Sequence, residues 1–249
     1  METFDPYQPL PFKAYGLFDG VQVEQETCAS LMHYVEAEKF LGVDEQYRRF
    51  ILSIQEKEDF MLETAGVSQA RRRQDWFDVR ERLIRAGAWM QLVQNKDELC
   101  DRLLAGELVC NLGPINDAMA SIRERLLSDD PLRKVLITGA VDFTDQAAVF
   151  AMLDSIFARR QADEIIVTAE LGVGRIAARY AHQHYIPIRV VGDTTESDES
   201  VLELVLTHAS HVFVATHHGQ SSPFADTCFE AAAEAGKFAH KVQLELLCA

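Results

Sequence analysis

Ionisable and aromatic side chains are concentrated in the segment Ser30–Phe40 and in one dipeptide further along the chain. Together they supply an imidazole, a phenol, carboxylates, an amine and an indole, groups that transfer protons, pair with anions or stack on planar ligands. The residues are His33, Tyr34, Glu36, Lys39, Asp75 and Trp76. Spacing alone favours an amphipathic helix with its charges towards solvent, so it does not establish a site.

Glycine occurs with hydroxyl or guanidinium groups in three segments of the C-terminal half, each after a short apolar run. Glycine lets the backbone approach a ligand closely, and the N-terminus of a helix favours phosphate. Arg175, in the first turn of a predicted helix, can add a charge-assisted contact. The residues of this predicted nucleotide-binding edge are Thr138, Gly139, Gly172, Gly174, Arg175, Thr216, Gly219, Ser221 and Ser222.

His217 and His218 in the third segment raise the question of a metal or of acid–base chemistry. No carboxylate or thiol stands beside them at ligand spacing. We interpret them as part of a polar loop, and the sequence predicts neither a metal nor a cofactor.

The elements that must position these residues differ between the two halves. From about Ser30 to Arg125, apolar residues recur at helical spacing, and only short segments before Ser30, such as Gly20–Val23, are candidate strands. After Pro131, short apolar runs alternate with helical patterns, which is typical of βαβ units and a buried parallel sheet. The predicted strands contain 135–137, 164–168, 186–191, 211–216 and 238–244, and the predicted helices span 145–160, 172–184, 199–207 and 224–235.

These patterns predict an α/β protein with two domains. A mainly helical α+β domain covers residues 1–127 and a Rossmann-like parallel-sheet domain covers 134–249. Residues 128–133 join them as a linker, because Ser128-Asp129-Asp130 is polar and Pro131 discourages helix in the residue before it.

Composition and charge restrict the partners. The 249 residues carry a net charge of −15, with 15 basic and 24 acidic residues in 1–130 and 9 and 15 in 131–249. Neither half is basic, which disfavours binding of duplex nucleic acid and favours a small molecule; self-association stays open.

Residues 1–11 lack the features of a secretory signal, and no apolar run reaches the ~18 residues of a membrane helix. The five cysteines are widely spaced and fit reduced thiols, so we expect a cytoplasmic protein.

The C-terminal half resembles the SLOG superfamily, in the branch of small YspA-type and YpsA-like proteins. The resemblance starts at Lys134–Asp145, K-V-L-I-T-G-A-V-D-F-T-D, and covers about Lys134 to Val242. It implies a Rossmann-like fold and a nucleotide-derived ligand. The chain departs from the family pattern at Val141, an arginine in the family, and at Gly174-Arg175, a glycine-acid pair there. The departures favour binding over catalysis in this half.

The N-terminal half is similar to the NADAR or YbiA-like family over about Phe12 to Asp117. That family includes N-glycosidases acting on riboflavin-pathway intermediates and enzymes that remove ADP-ribose from nucleobases. The matching motifs, in order, are Asp19-Gly20, Ser30-x-x-His33-Tyr34-x-x-Ala37-x-Lys39-Phe40, Asp75-Trp76 and Gly87.

The resemblance implies roles for these residues in cleavage at the anomeric carbon of a ribose. Lys39 would engage the ribose as a nucleophile or bind a phosphate, and Asp75 would act as acid or base. The implied substrate-binding residues are Asp19, Gly20, His33, Tyr34 and Trp76.

The same motif lacks one catalytic group. Met32 occupies the position of the family glutamate, and a thioether can neither transfer a proton nor stabilise positive charge on the ribose. Glu36, four residues later, falls on the same helix face and is the predicted substitute.

Two functions follow from the sequence. The first is an N-glycosidase-type hydrolase that cleaves a ribosyl N-glycosidic bond in a nucleotide or ADP-ribose conjugate. The alternative is a catalytically degenerate nucleotide-binding sensor, favoured by the departures at Met32 and in the loops. A structural partner protein without a small ligand is a third, less specific interpretation.

Overall fold

The computed structural model of the protein describes residues 2–18, 22–66, 72–94, 97–168, 170–191 and 197–245. The chain divides into two compact units, Met1–Asp130 and Pro131–Ala249. Asp19 and Gly20 of the predicted substrate site lie outside the described residues.

The first unit is mainly helical and contains a β-hairpin. Strand β1 (Glu2–Thr3) pairs in parallel with the short β4 (Leu108–Val109), whereas β2 (Phe12–Phe18) and β3 (Gln22–Cys28) are antiparallel. The hairpin is longer than the predicted strand segment around Gly20–Val23. The helices are α1 (Leu31–Glu38), α2 (Glu45–Ser53), α3 (Lys57–Ala65), α4 (Trp76–Leu92), α5 (Asp97–Ala105) and α6 (Gly113–Leu127).

Helix α1, which carries most of the N-terminal motif, is fixed at its start and along one side. Ser30 is its N-cap, and the Ser30 hydroxyl accepts a hydrogen bond from the His33 N–H. Gly87 of α4 faces this helix, and a Cβ at Gly87 would lie only 2.6 Å from Cδ1 of Tyr34. Glycine at this position therefore lets the two helices approach closely around buried Tyr34 and Leu31.

The second unit is built around a five-stranded sheet in which every neighbouring pair is parallel. The strand order is β7-β6-β5-β8-β9, so the direction of winding changes between β5 and β8. The strands are β5 (Lys134–Gly139), β6 (Glu164–Thr168), β7 (Ile188–Val191), β8 (His211–His217) and β9 (Phe238–Leu244). The helices are α7 (Gln146–Phe157), α8 (Val173–His184), α9 (Asp198–His208) and α10 (Pro223–Glu234).

The predicted fold class is confirmed: a mainly helical first unit precedes a Rossmann-like parallel sheet. The middle strands β5 and β6 are almost wholly buried, as expected for parallel strands covered on both faces. None of the described helices is long and apolar enough to cross a membrane. In open parallel sheets, ligands bind at the carboxyl edge where the winding changes, which here is the edge beyond Gly139 and His217.

Candidate functional site

Glu36 and Lys39 form an ion pair at the end of α1. Lys39 Nζ donates to Oε1 and Oε2 of Glu36 at 2.6 and 2.5 Å. The same Nζ lies 5.4 Å from the ring centroid of buried Trp76, within the range of a cation–π contact. The Lys39 side chain is 26% exposed and that of Glu36 13%, so solvent reaches the pair. The structure thus brings together three of the predicted site residues.

Asp75 is beside this group, but its carboxylate is bound to Arg73. Arg73 Nε and Nη2 donate to its two carboxylate oxygens at 2.6 and 2.8 Å, and the Arg73 N–H donates to the Lys39 carbonyl at 2.7 Å. The hydrogen bonds from Arg73 hold the pKa of Asp75 below its usual range. A carboxylate held in this way has no proton to donate at neutral pH, so the geometry favours a positioning role.

The carboxylates of α1 lie in different surroundings. Met32, which the resemblance aligns with a glutamate, is 9% exposed, and Glu36 follows one turn later. Glu38 is buried, with Oε1 3.5 Å from Nη2 of the buried Arg48. Of these two glutamates, Glu36 is therefore the one that solvent reaches, and its substitution for the missing acid stays a prediction.

His33 is held inside the first unit by both ring nitrogens. Its Nδ1 lies 2.8 Å from the Ser30 hydroxyl and its Nε2 lies 3.0 Å from the Ile54 carbonyl. A carbonyl only accepts, so Nε2 carries the proton, and the Ser30 hydroxyl then donates to Nδ1. The ring also packs on Phe60, with 3.9 Å between centroids. This arrangement leaves no ring nitrogen for a substrate.

The buried His33 makes stability pH-dependent. Burial lowers its pKa from 6.5, so near pH 6 the unfolded chain binds a proton that the folded chain does not. We expect the free energy of unfolding of the first unit to fall between pH 7 and pH 5, by at most about 1.4 kcal/mol per pH unit. Both tryptophans, Trp76 and Trp89, are in this unit, so urea unfolding followed by tryptophan fluorescence measures it. His33→Gln should flatten the slope; an unchanged slope would contradict the assignment.

Tyr34 lies in the core of the first unit rather than at its surface. It is 5% exposed and its ring meets Phe12 edge-on, with 6.0 Å between centroids. Its contact with Gly87 is described above. Its role as a stacking wall for a ligand stays a prediction, and the packing favours a structural role.

At the carboxyl edge of the second unit, the loops after β5, β6 and β8 meet through their backbones. Gly172 has a φ of 69°, and a Cβ there would lie 2.2 Å from the Ala140 carbonyl oxygen. At Gly139 a Cβ would lie 2.1 Å from the Ala215 carbonyl oxygen. The Ser222 N–H donates to the Gly139 carbonyl at 3.2 Å. Glycine at two predicted positions is thus required by close approach.

Glu170 is a polar group at this edge that the sequence analysis missed. Its Oε2 accepts hydrogen bonds from the hydroxyls of Thr138 at 3.1 Å and of Thr168 at 3.4 Å. It therefore joins the ends of β5 and β6, two residues before Gly172. The only signal in the sequence was a charged residue directly between a buried strand and a glycine turn.

The first turn of α8 contains two more predicted ligand residues. Gly172 is its N-cap and supplies no side-chain hydrogen bond to the helix. Gly174 is buried, whereas Arg175 is exposed. The guanidinium of Arg175 is therefore accessible to an anionic ligand at this end of the helix.

The third loop is a tight turn held by reciprocal backbone bonds. His217 and Gln220 exchange N–H···O bonds of 2.9 Å, while His218 and Gly219 have positive φ values of 51° and 76°. Thr216 Oγ1 and the Gly219 N–H both donate to Oε1 of Gln243, at 3.0 and 3.2 Å. The polar loop expected from the sequence is thus a turn tied to β9.

The two serines after this turn organise the start of α10. The Ser221 hydroxyl donates to Oδ1 of Asp226 at 2.7 Å, and the Ser222 hydroxyl accepts from the Ala225 N–H at 3.0 Å. Both hydroxyls therefore already have partners within the protein. Across the part of the chain that the structure describes, no group of three or more His, Cys, Asp or Glu residues is arranged to hold a metal ion.

Comparison with known proteins gives a match for each resemblance. Residues 133–192, from the start of β5 to just beyond β7, match the model of the YAcAr family, described as the YspA, cpYpsA-related SLOG family. The NMR structure of the E. coli protein YbiA matches with 22% identity and a TM-score of 0.40, over 50% of this chain and 83% of that chain. No curated protein sequence matches the chain. The protein is thus similar to the SLOG family over residues 133–192 and to YbiA over half of its length.

Proposed function

We propose that the protein hydrolyses a ribosyl N-glycosidic bond, in a nucleotide or an ADP-ribose conjugate, at the Glu36–Lys39–Trp76 group. The observation that carries the proposal is the geometry of that group. A lysine amine is held by both oxygens of a partly exposed carboxylate and lies 5.4 Å from the ring centroid of a buried indole. A cation can pair with the phosphate of a ribosyl ligand, and a carboxylate can stabilise positive charge on its ribose.

The chemistry assigned to each residue follows from the charge that develops during cleavage. As the C–N bond breaks, the ribose gains positive charge, which the Glu36 carboxylate can stabilise while it orients a water. Lys39, bonded to Glu36 through its amine protons, serves better as a partner for a phosphate than as a nucleophile. Trp76 closes one side of the group, and the Asp75–Arg73 pair holds the segment before α4 against the Lys39 backbone.

The second unit supports a nucleotide-related ligand in this proposal. The glycines at positions 139 and 172, the accessible Arg175 and the Glu170 carboxylate lie at the carboxyl edge of the sheet. A carboxylate there suits the hydroxyls of a ribose, and a guanidinium suits phosphate. We therefore assign this edge to binding rather than to bond cleavage.

The test is release of free base. The full chain is incubated with NAD, ADP-ribose or adenosine 5′-monophosphate, and the products are separated and identified by mass spectrometry. We expect Glu36→Gln to slow base release by about 10²-fold, the lower end of the effect of removing a general acid–base group. Glu63→Gln is the matched control, because Glu63 also holds a polar partner, the Tyr47 hydroxyl, at 2.8 Å. Undiminished release by a Glu36→Gln, Lys39→Ala double variant would overturn the assignment.

A binding protein without turnover is the second candidate, favoured by specific observations. Met32 stands where the family has a carboxylate, and both His33 nitrogens are used within the fold. This function predicts that ligand raises the free energy of unfolding by RT ln(1 + [L]/Kd), and with it the melting temperature, while no base is released. Product formation that depends on Glu36 would exclude it.

A further inference from the structure

A second group of polar residues lies beside α1, contributed by the start of the chain and by α3. Lys57 Nζ lies 2.5 Å from Oδ2 of Asp5, and the Tyr7 N–H donates to the other oxygen of Asp5 at 3.0 Å. Lys57 Nζ is also 5.7 Å from the centroid of the Tyr7 ring. Neither family resemblance accounts for these three residues.

The backbone places Tyr7 next to the helix that carries Glu36. The Pro6 carbonyl accepts a hydrogen bond of 3.1 Å from the Met32 N–H, so Tyr7 follows directly on a residue bonded to the first turn of α1. The Tyr7 ring also meets the buried Phe60 edge-on, at 6.2 Å between centroids. Tyr7 is thus fixed, partly exposed, near the helix turn that contains Met32 and leads to Glu36.

The surroundings of Tyr7 disfavour ionisation of its hydroxyl. Burial raises the pKa of Tyr7, and the negative charges of Glu36 and Asp5 raise it further. At neutral pH a phenol near carboxylates is therefore protonated and acts as a proton donor rather than as a base. Met32, one turn before Glu36, stands where the family has a carboxylate, and Pro6, the residue before Tyr7, is bonded to the Met32 N–H.

We propose that Tyr7 is the general acid for the leaving base in the ribosyl hydrolysis proposed above, on which this inference rests. The C–N bond breaks, its electron pair goes to the base nitrogen, and that nitrogen takes the Tyr7 proton. A water oxygen bonds to the anomeric carbon and gives one proton to Glu36. That proton then returns to the Tyr7 phenolate, so the products are free base and the ribose hydroxyl compound.

Two substrates separate proton donation from mere positioning. Adenine leaves adenosine 5′-monophosphate as a neutral base only if it gains a proton, whereas nicotinamide leaves NAD as a neutral molecule without one. We expect Tyr7→Phe in the full chain to slow base release from adenosine 5′-monophosphate by about 10²-fold and release from NAD by less than threefold. Tyr180→Phe is the control, since it removes a tyrosine hydroxyl of the second unit, one that donates to Oδ1 of Asp154 at 2.8 Å.

Each other result decides against the proposal. Equal losses for both substrates would show that Tyr7 only positions the ligand, and no loss would show that it has no part. Release from NAD alone by the natural protein would overturn the acid role, while release from neither substrate would overturn the proposed function itself. Replacing Tyr7 by a fluorotyrosine keeps the ring and should move the basic limb of the adenosine 5′-monophosphate pH profile to lower pH; an unmoved limb would contradict the proposal.

Discussion

Arg48→Met is expected to lower the free energy of unfolding of the first unit by about 3–5 kcal/mol, the cost of breaking a buried ion pair from one side. Arg48 is 1% exposed, and its Nη1 donates to Oε1 of Glu26 at 2.8 Å while its Nη2 contacts Oε2. Oxygens of Glu38 and Glu45 lie 3.5 and 3.6 Å from the same guanidinium. Methionine can occupy the space, but it leaves these carboxylates without their shared cation.

Tryptophan fluorescence during urea unfolding measures this loss, because Trp76 and Trp89 report on the first unit alone. The control is Glu38→Gln introduced into the Arg48→Met variant. If the buried charge is the cause, the double variant should recover part of the lost stability. If it recovers nothing, the charge explanation is wrong and the packing of the long side chain carries the effect.

The contacts of Arg48 also explain why Glu36 and Glu38, which belong to one motif, lie in different surroundings. Arg48 binds Glu38 on the inner side of α1 and Glu26 on β3, which ties α2 to both elements. Glu36 and Lys39 are then left on the side that solvent reaches. The buried contacts of Arg48 thus orient α1 so that Glu36 and Lys39, the pair assigned to the substrate, lie on its accessible side.

The sequence predicted the centre of the second unit well because the strands β5, β6 and β8 are buried on both faces. Such strands appear as continuous apolar runs, and the predicted segment 164–168 coincides with β6. The predicted segment 238–244 coincides with the edge strand β9, which is largely exposed. The glycines at 139 and 172 were also identified, although their requirement comes from contacts with the backbones of Ala215 and Ala140. Local sequence patterns were therefore sufficient to predict buried strands and the glycines at the ends of strands.

Contacts between distant parts of the chain could not be predicted in the same way. The sequence identified His33 and Tyr34 as candidate ligand residues. It could not show that Nε2 of His33 bonds to the carbonyl of Ile54, a residue that follows another helix. Arg48 showed no sign of burial, because its bond to Glu26 joins a helix to a strand 22 residues earlier. The hydroxyl bonds to Glu170 likewise depend on which two strands are neighbours.

Gly172→Ala is expected to destabilise the second unit by about 2–5 kcal/mol. Gly172 has φ 69° and ψ −126°, a conformation open almost only to glycine, which costs an alanine at least the roughly 1–2 kcal/mol of the left-handed region. The added Cβ would lie 2.2 Å from the Ala140 carbonyl oxygen and 2.6 Å from the Val141 carbonyl carbon, so the backbone must move, at a further cost of about 1–3 kcal/mol. The loops after β5 and β6 would move apart. This movement would disrupt the carboxyl edge of the sheet, which we assign to nucleotide binding.

Gly219→Ala is the control for a positive φ without a close contact. Gly219 has a similar φ of 76°, but nothing lies within 4 Å of the position its Cβ would take, so we expect a loss of only about 1–2 kcal/mol. Far-UV circular dichroism follows both units, and unchanged tryptophan fluorescence would show that the first unit is intact. Equal losses in the two variants would mean that the Gly172 loop does not press against the loop after β5. The backbone contact proposed to shape the ligand edge would then be absent.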